Sequence, residues 1–200
     1  MNRRQKEKRK RIENKKLVEE FPFLLPRNRF SDKVPKKYNY SYTELDDMPK
    51  GWKKAFGIQL CKDLKEALIK SNFLNDYRIM QIKEKYGSLR WYDNGHNEEI
   101  GIILMKYEHI SEHTCIRCGK INVPIYDAGW VSPWCEKCFA NYRNNLKYNS
   151  TKKPEEFMIE PAELSKTIKV TKFSKEGNIE EKYDCSDILK KLNVDLNDIN

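Results

Sequence analysis

The sequence predicts an α+β fold, in which a helix–β-hairpin–helix body carries a module of four cysteines. Three patterns lead to this prediction. Apolar residues recur at every fourth position from Trp52 to Leu68, which is typical of a helix with one buried face. Two alternating segments flank residues 84–87, which is typical of a β-hairpin. Two C-x-x-C pairs then follow a second helical segment, which indicates a small module held together by its cysteines.

Composition and charge limit the class of protein. The chain has 200 residues, of which 38% are hydrophobic and 12% aromatic, and these fractions are too high for a wholly disordered protein. The formal net charge is +9, and residues 1–16 alone carry nine cations and two anions, a net of +7. Residues 17–200 therefore carry only +2. The charge predicts a nearly neutral folded body preceded by a basic segment.

Charge and pattern divide the chain into three regions. Residues 1–20 are predicted to be a basic tail, disordered or helical. Residues 1–16 should be removable without unfolding the rest, because they have few apolar residues to bury. Residues 21–150 are predicted to form the α+β body, with the cysteine module at 115–146. Residues 151–200 are predicted to form a C-terminal β-hairpin, connected at 175–178, and a short helix.

The first helix of the body is predicted to begin at Pro49, because proline is favoured at the first helical position. Asp46 and Asp47 precede it, and their charges suit the positive end of the helix dipole. The apolar pattern fades near Ser71, where the helix is expected to end.

A hairpin and a second helix are predicted to follow. Within residues 77–92, Met80 and Ile82 alternate on the first arm, and Leu89 and Trp91 on the second. Each pair is expected to share one side of its strand, because alternate residues of a strand point to the same side. Asn97 is expected to cap the second helix, since its side chain can accept a hydrogen bond from a backbone N–H group of the first turn.

The cysteines of the module are spaced like the ligands of a metal ion, in the pattern C-x2-C-x16-C-x2-C. Thiols in the cytosol are kept reduced, so metal binding explains two close pairs better than disulfides do. In structural sites Zn²⁺ takes four ligands in a tetrahedron, and four thiolates leave no open position for water. The sequence therefore predicts one structural Zn²⁺ per chain, bound by Cys115, Cys118, Cys135 and Cys138.

Two kinds of zinc module fit this spacing. The insert at 119–134 can hold a β-hairpin that turns at 127–129, and a helix can begin at the second cysteine pair. A knuckle, a hairpin and then a helix make the treble-clef arrangement. A zinc ribbon with two hairpin knuckles is the alternative.

Few other residues carry a chemical signal. His113 is the only plausible substitute metal ligand, but His109 and His113 are interpreted as residues at a helix C-terminus that interact with the dipole. Cys61 and Cys185 are interpreted as small buried residues. The sequence has no G-x-S-x-G, P-loop, G-x-G-x-x-G or H-E-x-x-H motif, so we predict that the protein is not an enzyme.

The hydropathy of the chain bears on its location. No apolar run approaches the ~18 residues that cross a bilayer, and no apolar signal segment follows the basic N-terminus. We therefore predict a cytoplasmic protein without a membrane partner.

The hairpin and the module together resemble a known family. Residues 82–92 read IKEKYGSLRWY, and they precede a helix and the two cysteine pairs. This order resembles a widespread group of uncharacterised small phage- and prophage-encoded proteins, whose hallmark is a K-E-K-[FY]-G-x-L-R-[FWY] hairpin followed by a four-cysteine zinc module. The resemblance covers residues 49–138. It implies the cytoplasm of a host cell and an accessory role in nucleic-acid handling, host takeover or counter-defence.

Three functions are open at this point. The first is a non-enzymatic, zinc-stabilised accessory protein that binds nucleic acid, because cations neutralise phosphates and neighbouring aromatic rings stack on bases. The second is a protein-binding factor that captures a host or defence protein. The third is an enzyme of unrecognised type. The candidate nucleic-acid-binding residues are Arg3, Arg4, Lys8, Arg9, Lys10, Arg11, Lys36, Lys37, Lys83, Lys85 and Arg90.

Overall fold

The protein combines helices with small antiparallel sheets, which confirms the predicted mixed class. The computed structural model describes residues 1–28, 31–95, 97–127, 131–149, 157–158, 164–174 and 177–199. The helices are α1 (Arg3–Glu20), α2 (Lys50–Trp52), α3 (Ile58–Lys70), α4 (Glu98–Glu112), α5 (Glu136–Asn149) and α6 (Ser186–Lys191). The strands are β1 (Ile79–Lys85), β2 (Ser88–Asp93), β3 (Ile125–Asp127), β4 (Val131–Pro133), β5 (Phe157–Met158), β6 (Thr167–Ser174) and β7 (Gly177–Asp184). In this part of the chain β1 pairs with β2, β3 with both β4 and β5, and β6 with β7.

One continuous helical segment forms the centre of the body. It begins after Pro49 as α2, passes through the π-helical turn Lys53–Gly57 and ends as α3 at Lys70. Residues spaced by four drift about 40° per step around an α-helix. The wider turn of a π-helix offsets this drift, so the apolar pattern stays on one side. The side chains of this stripe are at most 1% exposed: Trp52, Phe56, Leu60, Leu64 and Leu68.

The β1–β2 hairpin turns tightly and contains one irregularity. Tyr86 and Gly87 form the turn with φ values of 53° and 82°, as expected for a two-residue connection that matches the strand twist. The prediction that Met80 shares one side of the strand with Ile82 is wrong, since Met80 is 37% exposed whereas Ile79 and Ile82 are buried. The register of the pairing shifts just after Ile79, and this bulge changes which residues face the core.

Helix α4 closes the body over the hairpin and α3. Its N-cap is Asn97, as predicted, and the Asn97 side chain accepts a hydrogen bond from the backbone N–H of Ile100. The buried apolar residues of α4 follow helical spacing: Ile100, Leu104, Tyr107 and Ile110.

The basic N-terminal segment forms α1, which is held against the body. The buried Asn14 side chain donates a hydrogen bond to the carbonyl oxygen of Tyr40 at 2.9 Å. Lys10 Nζ lies 3.2 Å from a carboxylate oxygen of Asp46. Leu17, in the last turn, packs against the main core. The cations of α1 therefore project from a helix with a defined position.

The C-terminal region shares the main core with the body. Ile188 and Leu189 of α6 are buried in that core. Lys191 Nζ lies 2.7 Å from one carboxylate oxygen of Asp63, and the Tyr107 hydroxyl donates to the other at 2.7 Å. The predicted hairpin is present as β6–β7, while positions 175 and 176 of its connection lie outside the described residues.

A second, smaller core lies inside the cysteine module. The rings of Tyr126 and Phe139 stack at 4.0 Å, and those of Trp134 and Tyr142 stack at 5.0 Å. The predicted hairpin of the insert is present as β3–β4, while positions 128–130 of its turn lie outside the described residues. Within the described ranges, every helix is too short or too polar to cross a membrane.

Candidate metal centre and basic surface

The first cysteine pair lies in a tight knuckle just after α4. The backbone N–H of Cys115 donates to the carbonyl of Lys120 at 2.8 Å, and that of Gly119 donates to the carbonyl of Cys115 at 3.0 Å. Gly119 has a φ of 83°, a conformation that glycine adopts without steric cost. The knuckle places the side chains of Cys115 and Cys118 on the same side of the turn.

The second pair completes a cluster of four thiols. Cys135 directly precedes α5 and Cys138 lies in its first turn, where the backbone N–H of Phe139 donates to the carbonyl of Cys135 at 2.9 Å. The four sulfur atoms lie within 4.8 Å of one another, and those of Cys118 and Cys135 are 3.7 Å apart. The spacing-based prediction therefore named residues that the fold brings together. They are placed where they can hold a metal ion.

Backbone groups around the cluster favour a thiolate at one ligand. Burial raises the pKa of the Cys115 thiol, but three backbone N–H groups that point at its sulfur outweigh burial, and the pKa falls to about 7. These groups belong to Cys135, Cys118 and Arg117. Burial raises the pKa of Cys118 and of Cys138. Thiolate is the form that binds a metal ion, so the knuckle stabilises the required charge state at Cys115.

The knuckle docks directly on the start of the central helix. The backbone N–H of Gly51 donates to the carbonyl of Ile116 at 2.8 Å, and Trp52 Nε1 donates to the carbonyl of Thr114 at 2.7 Å. A Cβ atom on Gly51 would lie 2.2 Å from the carbonyl oxygen of Cys115. Sequence reasoning missed Gly51, because a glycine near a helix start gives no sign of a distant backbone pressed against it.

A second group of potential ligands lies at the end of α4. One ligand atom each from His109, Glu112 and His113 lies within 4.8 Å of the others, and the two imidazole rings are 5.1 Å apart. Burial and the nearby His109 lower the pKa of His113 to about 4. The sequence interpretation assigned these histidines to the helix dipole. The overlooked signal was the order H-x-x-E-H, the reverse of the H-E-x-x-H motif.

Four exposed cations of α1 form a row beside an aromatic ring. Their positions advance by four, three and four residues, which places them on one face of a helix. With Tyr40, Ile12 and one anion, Glu7, they line a groove of about 320 Å³. We call this set the basic stripe: Arg4, Lys8, Arg11 and Lys15.

The other candidate cations of α1 form ion pairs, as Lys15 of the basic stripe does with Glu19 at 3.8 Å. Arg3 pairs with Glu7 at 2.9 Å and Arg9 pairs with Glu13 at 2.7 Å, each four residues apart on the exposed surface. Lys10 faces the body. Exposed pairs of this kind contribute about 0.3–0.5 kcal/mol, so they leave the cations available to other anions.

The remaining candidate cations lie away from α1 in the chain. Lys36 and Lys37 are exposed in a turn. On the hairpin, Lys83 Nζ lies 5.1 Å from the centre of the Tyr92 ring, and Lys85 Nζ lies 5.5 Å from that of Tyr86. Arg90 forms an ion pair with Glu108 of α4. Arg90 therefore links the hairpin to α4.

Asp46 joins α1 to the central helix. Its carboxylate accepts hydrogen bonds from the Thr43 backbone N–H at 2.9 Å and from Lys53 Nζ at 2.6 Å. Burial raises the pKa of this carboxyl group, but the hydrogen bonds and the charges of Lys53 and Lys10 outweigh burial and hold the pKa below its usual range. The sequence interpretation gave Asp46 a role with the helix dipole, and the structure adds these two lysines.

The two other cysteines are buried in the main core. Cys61 and Cys185 are both 0% exposed. Burial raises the pKa of both thiols, that of Cys185 to about 11. Neither side chain belongs to the four-thiol cluster.

Known proteins give no independent assignment for these residues. Comparison with protein-family models, with curated proteins and with solved structures finds no match to the chain. The resemblance to phage-encoded proteins stays a prediction from the hairpin and cysteine motifs.

Proposed function

We propose that this chain is a zinc-stabilised protein that binds single-stranded nucleic acid along the basic stripe. One observation carries the proposal: a helix fixed to the body presents four cations in a row beside the ring of Tyr40. Proteins bind single strands with positive grooves that follow the phosphates and with aromatic rings that stack on the bases. The stripe and Tyr40 supply both parts.

The fixed position of α1 supports this function. A free tail would lose about 1–2 kcal/mol of backbone entropy for each residue that orders on binding. Because Asn14 bonds to the Tyr40 carbonyl and Lys10 pairs with Asp46, much of this order exists before a ligand arrives. Such preorganisation increases affinity.

The length of the stripe suits a run of phosphates. From Arg4 to Lys15 the helix rises about 16 Å, at 1.5 Å per residue. Each cation that neutralises a phosphate releases condensed counterions, so affinity falls as salt concentration increases. The body contributes little net charge, and the stripe is the main electrostatic contact in this proposal.

In this proposal the four cysteines hold Zn²⁺ in a structural site. Zn–S bonds of about 2.3 Å in a tetrahedron place sulfurs about 3.8 Å apart. The Cys118 and Cys135 sulfurs, at 3.7 Å, fit this value. The order of a knuckle, the β3–β4 hairpin and then α5 supports a treble clef. Four thiolates leave no open coordination position, so the metal stabilises the fold and takes no part in chemistry.

The cellular setting is part of the same proposal. The resemblance of the hairpin and module to phage-encoded proteins supports an accessory role in the cytoplasm of a host cell. A protein partner is the second candidate, and the exposed hairpin favours it, since Tyr86 is 77% exposed and Tyr92 43%. Large aromatic side chains are common anchors in interfaces.

Two matched variants test which face of α1 binds. The stripe variant carries Lys8→Gln, Arg11→Gln and Lys15→Gln. The control carries Lys6→Gln, Arg9→Gln and Lys16→Gln, which remove the same charge from exposed positions of the same helix outside the basic stripe. Fluorescence anisotropy with a labelled single strand measures the dissociation constant of each over a range of salt concentrations.

We expect the stripe variant to lose more affinity and to have a salt slope shallower by about 2, since each lost phosphate contact on a single strand removes about 0.7. The control variant should keep the wild-type slope within about 1. Equal loss in both variants would contradict a defined binding face. Unchanged binding in the stripe variant, with loss after Tyr86→Ser, would favour the hairpin instead.

A further inference from the structure

The end of α4 gathers three side chains of the types that bind transition metals. Glu112 follows His109 by three positions and His113 follows it by four, and side chains at these two spacings lie beside that of His109 on a helix. Their ligand atoms lie within 4.8 Å of one another. In a tetrahedral site with bonds of about 2.0 Å the ligand atoms lie about 3.3 Å apart, so small side-chain rotations bring them to bonding distance.

The hydrogen bonding of His109 fits a metal ligand. Its Nε2 lies 3.2 Å from the carbonyl oxygen of Ser165. A carbonyl oxygen only accepts, so Nε2 carries the proton and Nδ1 has a free lone pair. Metal-ligating histidines usually donate their second ring N–H to a carbonyl or carboxylate, which fixes the tautomer and the ring orientation. Ser165 supplies this support from the C-terminal region.

The side chain of His113 is buried beside that of His109. Only 2% of this residue is exposed. Its ring lies edge-on to that of His109, with 5.1 Å between the ring centres. The two imidazoles and the Glu112 carboxylate are therefore close enough to share one metal ion.

We propose that His109, Glu112 and His113 form a second metal site, separate from the four cysteines. The ion is a divalent transition metal such as Zn²⁺, Co²⁺ or Ni²⁺, because imidazole suits these metals. Three protein ligands leave a coordination position for water or a small anion, unlike the closed cysteine site. Bound metal also strengthens the link between α4 and the segment that contains Ser165.

Cobalt is the probe that distinguishes the two sites. The full-length protein is purified with its zinc, dialysed against metal-free buffer and titrated with Co²⁺, while visible and near-ultraviolet spectra are recorded. We expect one further equivalent of Co²⁺ per chain, with weak d–d bands. Cobalt bound to thiolates instead gives an intense charge-transfer band in the near ultraviolet. The second site holds no thiolate, so its spectrum should lack that band.

Two single variants and one matched control test the assignment. Glu112→Gln and His109→Gln change half-exposed ligands, so both variants should fold, and each should weaken Co²⁺ binding at least tenfold. Glu99→Gln makes the same chemical change in the first turn of α4, where Glu99 pairs with Lys70, and should bind Co²⁺ like the wild type.

Two results would overturn the proposal. One is a wild-type protein in which all the bound Co²⁺ gives the spectrum of thiolate ligation. The other is equal Co²⁺ affinity in the wild type and Glu112→Gln. Because the spectrum separates thiolate from imidazole ligation, failure of the cysteine site and failure of this site give different results.

Discussion

The α-carbon of Gly51 faces the carbonyl oxygen of Cys115 so closely that a Cβ atom at position 51 would lie 2.2 Å from that oxygen. The same glycine donates its N–H to the carbonyl of Ile116 at 2.8 Å. From the other side, a Cβ atom on Gly119 would lie 2.6 Å from the carbonyl oxygen of Gly51. The start of the central helix and the first cysteine knuckle therefore share one backbone-to-backbone interface.

Gly51→Ala should destabilise the protein by about 1–3 kcal/mol, because its new methyl group forces the knuckle away from the helix. Gly57→Ala is the matched control. A Cβ atom there would meet its nearest neighbour, the sulfur of Met48, at an ordinary 3.4 Å. Denaturant unfolding of both variants measures the difference. Equal stability in the two variants would show that the backbone removes the 2.2 Å clash between the new Cβ atom and the Cys115 carbonyl oxygen without loss of stability.

Cys118→Ser should remove zinc and loosen both the module and the start of the helix that docks on it. Metal binding supplies much of the folding free energy of small zinc modules. After dialysis the wild type should keep one zinc per chain, and the variant none. Hydrogen exchange should quicken at 115–146 and at Gly51. Cys61→Ala, a buried cysteine outside the cluster, should keep its zinc. A full zinc complement in Cys118→Ser would contradict the ligand assignment.

The sequence predicts best what depends on short-range patterns. The apolar stripe from Trp52 to Leu68, the Asn97 cap and the gathering of the four cysteines all agree with the structure. Each depends on residue spacing along one element or on ligand chemistry. Met80 was misplaced because a bulge changes the register, and nothing in the residue alternation marks that bulge.

Long-range contacts account for what was missed. In the sequence, nothing distinguishes Asn14 from the other polar residues of the basic segment. In the structure its side chain donates a hydrogen bond to the carbonyl of Tyr40, 26 residues away. His113 lies beside the cysteine module in sequence, but its burial depends on packing that helical spacing does not encode. The pairing of β3 with β5 joins segments about thirty residues apart and has no local signal.

Asp46→Asn should destabilise the protein at neutral pH by about 1.5–3 kcal/mol, the range for hydrogen bonds to charged groups. The pKa of the Asp46 carboxyl is lowered in the folded state below an unfolded value of about 3.9. Its stabilising effect is therefore present above about pH 4 and is lost as the pH falls through the folded pKa. The difference in unfolding free energy between wild type and variant should shrink below pH 4. A constant difference down to about pH 2 would refute the role of Lys10 and Lys53.

Tyr40→Asn should weaken single-strand binding while the protein stays folded. Tyr40 has a φ of 61°, a conformation that asparagine tolerates better than most residues. Its backbone carbonyl still accepts the hydrogen bond from Asn14. Stacking of one base on an aromatic ring contributes about 1–3 kcal/mol of binding free energy, so its loss should raise the dissociation constant roughly 5- to 150-fold. Thermal unfolding shows whether the variant is folded. Unchanged affinity in a folded variant would show that Tyr40 does not contact the nucleic acid.

The most direct test of the proposed function is the salt dependence of single-strand binding by the wild-type protein. Anisotropy with a mixed-sequence strand of about 16 nucleotides, a length within known site sizes, gives the dissociation constant at each salt concentration. Four stripe cations, at about 0.7 each, predict a slope of log affinity against log salt of about −3. Absence of binding at about 50 mM salt, or a slope near zero, would contradict the proposal.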